Sequence, residues 1–195
     1  PKPASIFGAS RTNAKGWDIS DPATLEQFDK AKEAFVGMDR WQAAPVTRAN
    51  ANGASRPIAN PARTHDIVGT VTETSPQAVS VSVELALEAQ PRWAARPFTE
   101  RAEILRRVAD LYEANAVELC ALCTREAGKT LADGIAEVRE AVDFLRYYAA
   151  EAVKVDQGTR ARGVIVCISP WNFPLAIFTG QIAAALVTGN AVIAK

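Results

Sequence analysis

The chain predicts an α/β fold in which a group of helices precedes a strand–helix–strand unit that opens a parallel sheet. Three observations predict it. Val164-Ile165-Val166-Cys167-Ile168 is an unbroken apolar run, the pattern of a strand buried on both faces. Leu175 to Thr188 is apolar nearly all round and holds no proline, which gives a buried helix, and Gly189-Asn190 stops it. Ala191-Val192-Ile193-Ala194-Lys195 then begins a second buried strand, so the unit closes within about 30 residues. In such sheets ligands lie off the carboxyl ends of the strands. Those ends carry Ser169 to Phe173 and Lys195.

The composition is that of a water-soluble globular protein: 195 residues, 48% hydrophobic and 23% charged. Lys+Arg and Asp+Glu number 22 each, so no contact with nucleic acid or an acidic membrane is expected from this segment. The longest apolar stretch, Leu175 to Val187, is broken by Thr179, Gly180 and Gln181 and is too short to span a bilayer. No signal peptide is visible. Three cysteines, an odd number without disulfide-framework spacing, point to a reducing cytoplasm. Pro1 is an unnatural start and Lys195 falls inside a strand that has just begun. A two-stranded parallel sheet cannot bury its faces alone, so the chain is expected to be a segment of a larger protein.

The elements before this unit follow from local signals. Residues 1 to 20 are polar and irregular and, on their own, form a linker. Asp21-Pro22 starts a helix, with Asp as N-cap and Pro at the first helical position; Leu25, Phe28, Lys32 and Phe35 line one face to about Val36. Residues 43 to 63 lack periodicity and are expected to be loop. Pro57-Ile58-Ala59-Asn60-Pro61 marks the start of the main domain, dividing a lead-in of residues 1–54 from a domain segment of residues 55–195. His65 to Val71 is a short strand. Four helices are then expected. Ser75-Pro76 caps the first, with Val79, Val83 and Leu87 inward. Thr99 caps the second, with Ile104, Val108 and Leu111 on its face. Asn115 caps the third, which ends at Gly128. Thr130 caps the fourth, where Leu131, Ile135, Val138, Val142, Leu145 and Ala149 step by four and three.

Few residues qualify as carriers of chemistry. His65 is the only histidine and lies in a polar strand without clustered partners, so it is a surface residue. Cys120-x-x-Cys123 resembles half of a zinc site, but no second pair exists; on a helix both sulfurs fall beside Leu119 and Leu122 and pack the core. Cys167 sits inside a strand as a small hydrophobe. None of the three is an activated nucleophile. The turn Ser169 to Pro174 stands apart. Trp171 and Asn172 lie between two prolines at the mouth of a sheet. The Asn172 amide, held rigidly, is suited to donate to an oxyanion; the alternative is an Asn bonded to its own backbone. Lys195, at the same edge, has the reach to hold a ribose hydroxyl or a phosphate, or simply ends a strand in solvent. No GxGxxG follows the first strand, so dinucleotide binding in the ordinary Rossmann manner is unsupported.

Ile168-Ser169-Pro170-Trp171-Asn172-Phe173-Pro174 followed by Gly189-Asn190-Ala191-Val192-Ile193-Ala194-Lys195 resembles the cofactor motif of the aldehyde dehydrogenase superfamily. Glu126 to Thr130, Glu137-Val138 and Asp143 to Ala149 are similar to its preceding helices, and Asn60-Pro61-Ala62 with Val68 to Val71 to its first strand. Arg11 to Asp21 and Trp41-Gln42-Ala43-Ala44-Pro45 resemble the approach to the second enzyme of the bifunctional proline utilization A family. There a proline dehydrogenase with FAD precedes an NAD-dependent L-glutamate γ-semialdehyde (1-pyrroline-5-carboxylate) dehydrogenase. The resemblance implies an aldehyde dehydrogenase-like α/β fold, with helices followed by the first βαβ of a Rossmann-type NAD-binding sheet. It also implies order in the first fifty residues, in place of a linker.

The resemblance further implies that Asn172 donates to the thiohemiacetal oxygen. Ile168, Ser169, Pro170 and Trp171 would border the nicotinamide half of NAD, and Lys195 would hold the adenosine ribose. Phe173 would pack on the aliphatic part of the semialdehyde. Glu137 would lie near the substrate amino group, against the alternative of a solvated helix face. In the family a Cys thiolate attacks the aldehyde and a Glu-activated water releases the product; neither residue matches a position in this chain. The implied partners are the semialdehyde, the remainder of the same polypeptide and further copies in a homo-oligomer. Two alternatives stand beside this: an aldehyde dehydrogenase of other substrate range, and a non-catalytic copy serving assembly or as a lid, which Trp171 and Asn172 argue against.

Overall fold

The computed structural model describes residues 2–37, 41–46, 53–155 and 158–195. Its elements in chain order are α1 (Pro22–Lys32), β1 (Trp41–Ala43), β2 (Ser55–Asn60), β3 (Arg63–Thr72), α2 (Pro76–Ala94), α3 (Phe98–Ala114), α4 (Ala116–Ala127), α5 (Leu131–Ala152), β4 (Val164–Cys167), α6 (Ala176–Val187) and β5 (Ala191–Ala194). One sheet has the order β1-β3-β2, with β1 parallel and β2 antiparallel to β3. The second pairs β4 with β5 in parallel, Val164 opposite Ala191 and Cys167 opposite Ala194. The strand–helix–strand unit is therefore present at the expected residues.

Helix α5 is the hub of the core. Ile135, Val138, Val142, Leu145 and Ala149 are all buried and pack with Ala102, Leu105 and Ala109 of α3, Cys120 of α4, and Ala183 and Val187 of α6. Burying each Val or Leu here stabilises the fold by about 1.5–3 kcal/mol. Thr130 caps α5, its Oγ1 accepting the Asp133 N–H at 3.2 Å. Asp21 and Ser75 cap α1 and α2 in the same way. Helix α6 approaches α5 closely because residue 180 is glycine: a Cβ there would meet the Phe144 ring at 2.8 Å. Gly189, at φ 89°, turns the chain from α6 into β5.

Several expectations need correction. The predicted loop of residues 43–63 contains β2, which pairs with β3 through Ser55↔Thr72 to Asn60↔Arg63. This strand sits at a sheet edge and is mostly exposed, so it shows no apolar alternation, and Pro57 is tolerated there. Part of that stretch, residues 47–52, lies outside the described residues. On α2, Val79 and Leu87 face outward, Leu87 at 57% exposure. The helix is instead turned by the bonds Trp93 Nε1–H to Leu186 O (2.8 Å) and Gln90 Nε2–H to Gly189 O (2.9 Å). Pro97, not Thr99, occupies the N-cap of α3, and Leu111 is exposed while Ala102, Leu105 and Ala109 face inward. Asn115 holds the N-cap position of α4 without bonding its N–H groups; its amide donates back to Leu111 O at 2.8 Å. Strand β4 is not covered on both faces, since Val166 is 60% exposed: among the described residues its only strand neighbour is β5.

The first twenty residues are fastened down rather than free. Asp143 Oδ1 accepts the Ala14 N–H at 2.8 Å, and Glu113 Oε1 accepts the Lys15 N–H at 2.6 Å. Asn13 and Ala14 are buried, and Trp17 packs edge-on against Phe28. The linker reading fails because these anchors are contributed by helices about a hundred residues later in the chain, which composition alone does not reveal.

Candidate functional site

The carboxyl ends of β4 and β5 are stitched together. Lys195 donates its N–H to Cys167 O at 2.9 Å. The Lys195 carbonyl accepts from both the Ser169 N–H (3.1 Å) and the Ser169 hydroxyl (3.2 Å). Gln181 of α6 donates to Ile168 O at 3.2 Å. Beyond this knot the chain makes a turn closed by the Phe173 N–H donating to Pro170 O at 3.3 Å. Trp171 stands 85% exposed at its tip. Asn172 is exposed beside it, and among the described residues no hydrogen bond engages its amide. The alternative of an Asn spent on its own backbone is therefore absent. The Lys195 side chain is exposed at the same end.

An open groove of about 600 Å³ runs along β4, lined by Ile165, Val166, Cys167, Ile168, Gln181 and Ala185 among others. Val166 and Ile168 are its exposed apolar residues. They supply no backbone cradle for a pyrophosphate, because residues 168–176 contain no glycine. A second groove of about 690 Å³ lies at the α2–α3 connection. Its buried cation, Arg101, gives Nε–H to the Val187 carbonyl and Nη1–H to the carbonyls of Ala94 and Arg96, which ties α3 to the ends of α2 and α6.

Glu137 is not on a solvated helix face. It is 2% exposed, so the solvated-face alternative fails. One carboxylate oxygen, Oε2, accepts the N–H groups of Leu175 (3.2 Å) and Ala176 (2.8 Å) at the start of α6. The other lies 3.0 Å from Lys129 Nζ. That ammonium sits 4.7 Å from the centroid of the Phe173 ring, a cation–π contact. Sequence reasoning missed this use of Glu137, although a signal exists. Glu137 lies between Gly134 and Ala141 at helical spacing, inside the buried stripe of α5.

Asn190, a helix stop by its local sequence and a member of the family motif by resemblance, has a further part to play. It is buried, its Oδ1 accepts the N–H groups of Arg162 (2.7 Å) and Gly163 (3.0 Å), and its Nδ2 donates to Ala185 O (3.1 Å). It thereby locks the entrance of β4 to the end of α6. The cysteines behave as the sequence implies. Burial pushes the Cys120 thiol up to about 12 and Cys123 up to about 11, and raises Cys167 as well. His65 is exposed on β3.

A profile of the aldehyde dehydrogenase family matches residues 48–195. The chain belongs to that family. It is 46% identical over 198 residues to the bifunctional protein PutA of Escherichia coli, a match that covers 100% of this chain and 15% of the relative. Its fold superposes on a variant of proline utilization A of Bradyrhizobium japonicum with a TM-score of 0.76 at 32% identity, covering 100% of this chain and 18% of the other. It also superposes on a variant of the 1-pyrroline-5-carboxylate dehydrogenase of Thermus thermophilus, with a TM-score of 0.81 at 27% identity over 93% of this chain and 39% of that one. The aldehyde dehydrogenase-like α/β fold expected from the motifs is thus the observed one. The chain spans only about a sixth of the length of the PutA relatives.

Proposed function

We propose that this chain is the front part of an NAD-dependent dehydrogenase that oxidises L-glutamate γ-semialdehyde to glutamate. In this reading it lies within a bifunctional protein whose other activity is an FAD-dependent proline dehydrogenase, with residues 1–54 leading into the domain that residues 55–195 begin. The observation that carries the proposal is the full-chain similarity to PutA, joined to an exposed, unpartnered Asn172 amide at the carboxyl end of β4. The semialdehyde is the small-molecule partner, the rest of the polypeptide supplies what this segment lacks, and the protein works as a homo-oligomer. The cysteine usage supports a cytoplasmic location.

Asn172 acts on the aldehyde oxygen. As the carbonyl carbon becomes tetrahedral its oxygen gains charge, and an amide N–H free to donate to it stabilises that charge. Phe173 offers its ring to the aliphatic part of the substrate. Ile168, Ser169, Pro170 and Trp171 would flank the nicotinamide, and Lys195 would donate to the adenosine ribose. NAD, when bound, would supply the hydride acceptor. The knot between Ser169 and Lys195 keeps both cofactor contacts at one edge.

The test is NADH formation by the intact protein with L-glutamate γ-semialdehyde, compared with short aliphatic aldehydes of similar length. Preference for the semialdehyde supports the proposal. Equal or better turnover of simple aldehydes assigns another substrate range, and no turnover of any aldehyde removes the enzymatic reading.

A further inference from the structure

We infer that Glu137 is a positioning residue for the oxyanion donor: its carboxylate fixes the first turn of α6 and through it the direction of the Asn172 amide. The inference rests on the role of Asn172 proposed above.

Leu175 holds the N-cap of α6, and its side chain has no acceptor for the free N–H groups of the first turn. Glu137 supplies that acceptor from α5, taking the Leu175 and Ala176 N–H groups on one oxygen. A carboxylate is favoured at a helix N-terminus by the helix dipole, and at 2% exposure its field is little screened. Lys129 faces the second oxygen at 3.0 Å and also covers the Phe173 ring. The downstream end of the turn is thus clamped at residues 173, 175 and 176. The upstream end is clamped by the bonds of Ile168 and Ser169 to Gln181 and Lys195. Between the clamps the turn has one backbone bond, from Phe173 to Pro170. Asn172 has none of its own, so the position of its backbone, and with it the Cα–Cβ direction from which the amide projects, is set by its anchors. A buried ion pair is a poor way to gain stability alone, since an apolar pair of the same volume commonly does as well. A carboxylate aimed at two backbone N–H groups does what an apolar pair cannot, which is to fix where that backbone starts.

The experiment is a double-mutant cycle in the intact enzyme, with kcat and both KM values measured for Glu137→Ala, Glu137→Gln, Asn172→Ala and the Glu137→Ala/Asn172→Ala pair. Misplacing a catalytic group by about an ångström costs up to roughly 100-fold, so Glu137→Ala is expected to lower kcat about 10- to 100-fold with KM for NAD unchanged. Glu137→Gln, which retains an oxygen for the Ala176 N–H, is expected to keep most of kcat. The double variant is expected to be no slower than Asn172→Ala alone, because independent sites add and coupled ones do not. Multiplying losses in the double variant, or a Glu137→Gln as impaired as Glu137→Ala, would overturn the inference while leaving Asn172 in place. A normal Asn172→Ala would instead remove the reading beneath it. If Glu137→Ala does not fold, Lys129→Met takes its place in the cycle: a loss of kcat that vanishes in the Asn172→Ala background supports the clamp, and a loss that persists there overturns it.

Discussion

Arg125 of α4 reaches Asp66 of β3, its Nη2 donating to Oδ1 at 2.6 Å, with 8% and 15% of the two side chains exposed. The pair joins the three-stranded sheet to the helical core. Arg125 also donates to the carbonyls of Phe35 and Ile67, while Asn60 donates to the second oxygen of Asp66 at 2.9 Å. These hydrogen bonds, that from Arg125 first, hold the Asp66 carboxyl below its ordinary value of 3.8. A group depressed in the folded state contributes stability above its unfolded pKa and loses it as pH falls through the folded one. The unfolding midpoint should therefore decline as the pH drops below about 4. Asp66→Asn should lower the midpoint at neutral pH and flatten that acid limb. Thermal melts from neutral to acid pH check it, and an unchanged acid limb would assign the loss to other carboxylates.

Gly180 should not tolerate a side chain. A Cβ would lie 2.8 Å from the Phe144 ring, and that ring is stacked on Tyr148, so it has little room to retreat. Overpacking of this kind costs about 1–3 kcal/mol. Gly180→Ala should lower stability by that amount in denaturant unfolding, despite alanine's better helix propensity. Phe144→Leu should recover part of the loss in the double variant. A stabilised Gly180→Ala would mean that α6 shifts on α5 without penalty.

The contrast between α5 and β2 shows what the sequence makes legible. Ile135, Val138, Val142, Leu145 and Ala149 could be placed because a helix buried along one stripe writes a period into its own residues. Residues Ser55–Asn60 could not, because an exposed edge strand is defined by its partner β3 rather than by its composition. The same distinction governs the site. The exposed turn at Trp171 and Asn172 follows from two nearby prolines and a strand end, all local. The use of Glu137 on residues 175 and 176 is a contact across about 40 positions. Within the sequence's own periodicity, the helical spacing of Glu137 in the buried stripe hinted that it was not at the surface. Val79 and Leu87 failed for the opposite reason: their spacing marks an apolar stripe, but it cannot say which side of α2 meets β5.

Asn190→Ala should destabilise the strand–helix–strand unit specifically. It leaves the N–H groups of Arg162 and Gly163 without their acceptor and the Ala185 carbonyl without one of its donors. Unsatisfied buried polar groups cost about 1–3 kcal/mol each. Asn190→Asp keeps the acceptor and loses the donor, so it should be milder. Hydrogen exchange of β4 and β5 should accelerate in the Ala variant while α3 and α5 stay protected. Uniform acceleration would mean that Asn190 supports the whole fold.

Asn172→Ala in the intact enzyme should cut turnover by about 10²- to 10³-fold, the loss that follows removal of one oxyanion donor. The Asn172 side chain is exposed and bonds to nothing in this chain, so its removal should not move the unfolding midpoint. Steady-state kinetics and a melt on the same preparation separate the two effects. An unchanged rate would take Asn172 out of the chemistry.

The isolated 195-residue chain should show no aldehyde oxidation. Each of its cysteines is buried and raised by that burial, Cys120 to about 12 and Cys123 to about 11, with Cys167 raised on β4. At neutral pH a thiol so raised is almost wholly protonated, and the thiolate is the nucleophile. All three should alkylate slowly in the folded chain and rapidly once denatured, which thiol titration with and without denaturant reads directly. A cysteine that reacted fast in the folded chain would be an activated nucleophile despite its burial, and turnover by the isolated chain would require one.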